Sequence, residues 1–201
     1  QIDSELLVLG GQKPSDLIGI MESNIESADK ILLTGVPAEL ALIIQAYDLG
    51  EKQNWIREKG LDKAQADLAE LMEEHPEKFE TPEDLKTQEG SETVGDLSGD
   101  MTWDIGPETA RKYAEIIEDA EAVLMKGPAG AYEKHPEGSK TIIKAMAESE
   151  AFTVLGGGHT SSLVEEFGYS IDDFDHVSIA GGAFVKFVSG ETLPGIEALE
   201  N

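Results

Sequence analysis

Five times along this 201-residue chain a short apolar run stops at glycine and is followed by the signals of a helix start. Leu6 to Leu9 runs into Gly10-Gly11-Gln12-Lys13-Pro14, Ile31 to Leu33 into Thr34-Gly35, and Val123 to Met125 into Lys126-Gly127-Pro128. Ala151 to Leu155 enters Gly156-Gly157-Gly158-His159-Thr160, and His176 to Ile179 enters Ala180-Gly181-Gly182. Each reads as strand, bare turn and helix, with Thr160 in the position of a helix N-cap. Alternating β and α units over the whole length predict an α/β/α sandwich with a mainly parallel sheet. In such a sheet the strand C-termini share one edge, where ligands sit. Residues without a Cβ let main-chain N–H groups approach a bulky polar ligand, and a helix N-terminus favours negative charge there. Phosphate is the natural guest; tight turns that serve packing alone are the plain alternative.

Charge narrows the partners. Lys plus Arg number 15 against 41 for Asp plus Glu, a net charge of -26, which repels nucleic acid and anionic membranes. Disorder is the first competitor for so acidic a chain, but its apolar runs are regular and 40% of its residues are hydrophobic, enough for a core. An acidic shell suits concentrated salt, where self-repulsion is screened. The chain has no cysteine, which excludes disulfides and thiolate metal sites and fits a reducing, cytoplasmic setting. No apolar run approaches the roughly 20 residues of a membrane span. A start at Gln1 that enters a strand almost at once suggests a piece of a longer protein.

Taken in order, Pro14 opens a helix through about Ser27, and Pro37 opens a second that Gly50 ends. Lys52 to Lys59 reads as a short helical turn, and Asp62 caps an amphipathic helix carrying Ala64, Leu68, Leu71 and Met72. Residues 79–101 are poor in apolar side chains and read as a loop excursion with short strands near Leu85 and Val94. Pro107 opens a helix to about Asp119, a turn wanders from Gly127 to Gly138, and a helix follows from Ser139 to Ser149. The last helix is expected over Ala183 to Ser189.

Several standard motifs are missing. There is neither G-x-x-x-x-G-K-[ST] nor G-x-G-x-x-G, no G-x-S-x-G, and no H-x-x-x-H among the four histidines. These absences argue against a P-loop protein, an ordinary dinucleotide binder, a serine hydrolase and a zinc site.

Six motifs in order do carry a resemblance. Leu9-Gly10-Gly11-Gln12-Lys13, Asp104-Ile105-Gly106-Pro107-Glu108-Thr109, Gly127-Pro128-Ala129-Gly130-Ala131-Tyr132-Glu133, Gly156-Gly157-Gly158-His159-Thr160, Gly181-Gly182-Ala183 and Leu193-Pro194-Gly195 resemble the C-terminal half of phosphoglycerate kinases. The likeness spans nearly all of the chain and leans to archaeal, salt-loving members. It implies a Rossmann-like domain over residues 1–201 that binds Mg-ADP or Mg-ATP. The N-terminal domain that holds phosphoglycerate would be the missing partner, and the chain a monomer that binds nucleotide but does not turn over alone.

Carried over by position, the resemblance makes Lys13, Gly157 and Gly181 the catalytic set, with Lys13 neutralising charge on the transferring phosphoryl group. Gly10, Gly11 and Gly35 fall beside the adenine and Trp103 near the base, where it would stack or be a core residue. Lys126, Gly127, Pro128 and Ala131 line the nucleotide, Glu133 matches the carboxylate that bonds the ribose, and Gly156, Gly157, Gly158, His159 and Thr160 surround the phosphates. Leu17 stands where a second lysine is common, and Lys126 where an asparagine precedes Gly-Pro; Lys126 would restore the lost cation or face solvent. His159 replaces the aspartate that commonly binds magnesium, so Mg²⁺ would be held mainly through nucleotide phosphates and water, with no metal ligand assigned to the protein. Ala180 replaces the first glycine of a usual triple. A non-catalytic nucleotide-binding module and an acidic interaction protein are the competing readings.

Overall fold

Strand β1 (Glu5–Leu9) is apolar from its second residue onward because both of its faces are covered, the pattern of a strand inside a parallel sheet. Leu6 and Val8 belong to one core, Leu7 and Leu9 to another, as the two-residue period of a strand requires. The computed structural model describes residues 5–178. The following elements are α1 (Pro14–Asn24), β2 (Lys30–Leu33), α2 (Gly35–Ile44), α3 (Glu51–Glu58), α4 (Asp62–Glu74) and β3 (Phe79–Glu80). Then come β4 (Asp84–Lys86), β5 (Ser91–Thr93), β6 (Asp104–Ile105), α5 (Pro107–Glu118) and β7 (Ala122–Lys126). The described chain closes with α6 (Glu137–Glu148), β8 (Phe152–Gly156), α7 (Gly158–Glu166) and β9 (His176–Ser178).

Six strands form a parallel sheet in the order β3-β2-β1-β7-β8-β9. Helices α1 to α4 bury Leu17, Met21, Leu40, Ile56 and Leu68 against one face; α5 and α6 bury Tyr113, Ile117, Ile142 and Met146 against the other. This is the three-layer α/β/α sandwich that the alternating units predict. The Tyr113 hydroxyl, fully buried, donates between the carbonyls of Leu33 (3.1 Å) and Glu80 (2.9 Å), which ties α5 to β2 and β3.

The excursion is more ordered than its composition suggests. Phe79 and Glu80 join the main sheet as its edge strand, and β4, β5 and β6 make a separate antiparallel sheet in the order β5-β4-β6. That small sheet caps two helices. Asp84 Oδ1 accepts from the Thr109 amide (2.8 Å) and hydroxyl (2.6 Å) at the start of α5, and its Oδ2 accepts from the Glu108 amide at 3.2 Å. Asp104 Oδ2 accepts from the Gly138 amide at 3.0 Å in the first turn of α6. Orphan amides at both helix starts are thus satisfied by carboxylates distant in sequence.

Helix α2 ends at Ile44, six residues before Gly50, because Ala46 takes φ 69°. The Ala46 amide bonds the Ile43 carbonyl and the Tyr47 amide the Leu42 carbonyl, a Schellman ending built on alanine. Helix α7 ends the same way with Gly168 (φ 87°) in the equivalent position. Gly50 instead precedes α3, which is two turns of regular helix, not a single turn. The predicted helix over 183–189, the Ala180-Gly181-Gly182 turn and Leu193-Pro194-Gly195 lie outside the described residues.

Candidate functional site

The C-terminal ends of β1, β2, β7 and β8 lie along one edge of the sheet, and their turns touch. Gly10 donates to the Lys126 carbonyl at 2.9 Å, Gly35 to Ala129 at 2.7 Å, and Val36 to Gly11 at 3.1 Å. At Gly127 a side chain is impossible: φ is 82° and a Cβ would stand 2.1 Å from the Gly10 carbonyl oxygen. The turn after β7 therefore packs backbone against backbone on the turn after β1.

Helix α7 begins at Gly158, not at Thr160, because Gly157 with φ 103° turns the chain directly out of the strand. Thr160 sits in the first helical turn, and its buried hydroxyl accepts the Gly127 amide at 3.0 Å. The hydroxyl expected to cap its own helix instead fastens α7 to the neighbouring turn. A helix leaves its first amides without intrahelical partners, so the start of α7 presents donors to the edge.

Two cavities open along this edge and share Gly11, Gln12 and Gly130. The larger, about 590 Å³, is bounded by Lys13, Lys126, Glu133, Gly157 and His159, with Gly10, Gly127, Pro128, Gly158 and Thr160 also on its wall. The smaller, about 410 Å³, is bounded by Gly35, Glu39, Lys52, Trp55, Trp103 and Ala131. Lys126 does not simply face solvent: it is half-buried, and its Nζ is 3.0 Å from where a Cβ on Gly157 would stand. Burial lowers its pKa, Asp16 opposes that shift, and the charge of Lys13 adds to it. Two ammonium groups and the amides of α7 thus converge on one concavity. Across it, burial, the charges of Glu133 and Glu166 and a hydrogen bond to Glu133 raise the Tyr132 phenol.

Of the residues singled out from sequence, Gly156 ends β8 and is buried, on the wall of neither cavity. Gly181 lies outside the described residues. All the others border one cavity or the other. Among the described residues no three His, Asp or Glu side chains converge in a way that could hold a metal ion, and His159 is exposed.

Sequence reasoning read α3 as a short helical turn and did not connect it with the site. Lys52 and Trp55 on α3, with Lys59 at its C-cap, stand at i, i+3 and i+7 and form one wall of the smaller cavity. That helical spacing was the available signal. Lys52 Nζ lies 5.0 Å from the Trp55 ring centre and 6.0 Å from that of Trp103, and Lys134 Nζ lies 4.4 Å from Trp103.

The phosphoglycerate kinase family model matches residues 3–191. The chain belongs to the phosphoglycerate kinase family. Phosphoglycerate kinases of Methanococcus maripaludis (34% identical, 96% of this chain, 49% of that protein) and Clostridium botulinum (36%, 96% and 50%) are among its relatives. Archaeal and bacterial members are thus similarly distant. The crystal structure of phosphoglycerate kinase from Pyrococcus horikoshii superposes with a TM-score of 0.91 at 31% identity, covering 98% of this chain and 52% of that one. The enzyme of Coxiella burnetii gives 0.80 at 28% identity, covering 98% and 53%. The chain spans about half the length of the phosphoglycerate kinases it matches.

Proposed function

We propose that this chain is the nucleotide-binding, C-terminal half of a phosphoglycerate kinase, the enzyme that moves a phosphoryl group between 1,3-bisphosphoglycerate and ADP to give 3-phosphoglycerate and ATP. The observation that carries the proposal is the convergence of Lys13, Lys126 and the first amides of α7 on a 590 Å³ concavity beside a second, aromatic-lined one. A polyphosphate fits the first by charge, and a base fits the second by shape.

In this reading Lys13 and Lys126 offset the charge of the β- and γ-phosphates, Gly157 gives the phosphates close access to the α7 amides, and Glu133 accepts from the ribose hydroxyls. Phosphoryl transfer is mostly positioning and electrostatic stabilisation, so these groups are what the reaction asks of this half. Gly181 would complete the catalytic set. Asp16 and Glu133 are the carboxylates on the cavity wall, too few to cage Mg²⁺; it would arrive on the nucleotide, with water filling its shell. The other substrate would be held by a separate N-terminal domain, so this half alone would bind nucleotide as a cytoplasmic monomer without turnover. The -26 charge supports a salt-rich source.

Calorimetric titration with Mg-ADP tests this. Saturable binding, weakened at least about tenfold by Lys13→Ala, is expected, as is catalysis restored by mixing with an N-terminal half. No saturable binding, or full turnover by this chain alone, would refute it.

A further inference from the structure

Lys126 is the last residue of β7, and its side chain reaches the bare turn that starts α7. Its Nζ is 3.0 Å from where a Cβ on Gly157 would stand, so a side chain there would press the ammonium aside. The residue is half-buried, yet among the described residues its ammonium has neither an ion-pair nor a hydrogen-bond partner. Lys13, on the wall of the same cavity, is likewise unpaired among the described residues. The buried Lys52, by contrast, meets the carboxylate of Glu39. With 41 acidic side chains in the chain against 15 basic ones, a carboxylate partner is easily come by. Drawing an ammonium half out of water without one is costly unless an anion arrives to compensate.

The same place suits a divalent metal poorly. Magnesium asks for a near-octahedral shell of oxygens, and among the described residues no three His, Asp or Glu side chains converge to supply one. The hydroxyls at the start of α7 are engaged elsewhere: Thr160 accepts the Gly127 amide, Ser161 donates to the Gly157 and Ser178 carbonyls, and Ser162 donates to the Gly158 carbonyl. An ammonium cannot ligate a dication and repels it. Magnesium cancels two negative charges of a nucleoside diphosphate, and Lys13 and Lys126 together bring that same charge. We propose that Lys126 and Mg²⁺ neutralise the same phosphate oxygens, so that this cavity takes a nucleoside diphosphate without the metal at least as well as with it. This rests on the nucleotide-binding reading and adds to it the ionic form of nucleotide that the site accepts. It also gives Gly157 a second task, since its missing side chain is what seats the ammonium beside the first amides of α7.

The test is a cycle between one side chain and one ion. Calorimetry at constant ionic strength compares ADP in EDTA with Mg-ADP, on wild type and on Lys126→Gln. Wild type should bind metal-free ADP at least as tightly as Mg-ADP. Lys126→Gln should lose about tenfold or more for metal-free ADP but only about threefold or less for Mg-ADP, because the metal covers the charge that the lost ammonium leaves bare. Equal losses for the two forms would overturn the proposal, since lysine and metal would then act on the nucleotide independently. So would Mg-ADP binding about tenfold or more tightly than ADP in wild type, and should the variant not fold, that wild-type comparison decides alone. Binding that demands the metal sinks this role of Lys126 but not the nucleotide site, whereas no saturable binding of either form sinks the nucleotide reading itself.

Discussion

Asp104 carries a pH liability, and removing its charge should be measurable. Burial pushes its carboxyl from 3.8 up to about 7; the amides of Ile105 and Gly138 resist that shift, and the charges of Glu137 and Glu39 add to it. A raised acid pKa means that the folded state holds a proton that the unfolded state has lost. Below the ordinary aspartate range both states are protonated and the site costs nothing. Stability then falls as pH rises through the window between 3.8 and about 7, and above it the full penalty is present. The difference of about three pH units corresponds to roughly 4 kcal/mol in total, of which about 3 kcal/mol falls between pH 5 and pH 8. Asp104→Asn imitates the protonated form at every pH and keeps one amide acceptor for α6. Urea denaturation of both proteins at pH 5 and pH 8 reads the effect. Repulsion among the 41 acidic residues acts on both alike, so the variant should gain on wild type by on the order of 1 M in midpoint between the two pH values. Parallel pH profiles would refute the reasoning, because Asp104 would then be ionised in folded and unfolded chains alike.

Ala46→Gly should stabilise by up to about 1 kcal/mol by relieving the left-handed alanine that ends α2, while Gly168→Ala should cost a similar amount at the end of α7; thermal unfolding compares them. Thr160→Val removes the acceptor of the buried Gly127 amide and should cost about 1 to 3 kcal/mol in denaturant unfolding, with Mg-ADP binding weakened as the two turns loosen. Raising salt from dilute buffer to molar concentration should increase the unfolding midpoint, since a net charge of -26 repels itself most when unscreened. A midpoint that stays level or drops would count against the salt-adapted reading.

The parallel sheet and its edge were legible because a strand buried on both faces must be apolar throughout and because its turn must then shed side chains. Leu6 to Leu9 followed by Gly10-Gly11 states both at once. Helix α3 was not legible as a wall of the site: its eight residues are mostly polar, and what matters is which cavity Lys52 and Trp55 meet. The capping of α5 and α6 was hidden for a related reason, since Asp84 and Asp104 lie 24 and 34 residues from the amides they accept. Thr160 misled because serine and threonine at a turn suggest a local cap, yet here glycine makes the turn and frees the hydroxyl for a tertiary bond. Ala46 gave no warning, since alanine is the best helix former and ends a helix only when the following chain pulls it over.

The return path of the excursion is almost fully committed. The Ser98 amide is held by Glu92, the Gly99 carbonyl accepts Glu51 at the start of α3, and Trp103 donates to Lys86 while accepting from Ala131. The Thr87 to Gly90 hairpin tip, by contrast, bonds among the described residues only within itself and to Glu92. Evolution is therefore free to lengthen or shorten the chain at that tip, and drift in loop size among homologues should pool there, while the ten residues leading back to Trp103 keep a fixed count.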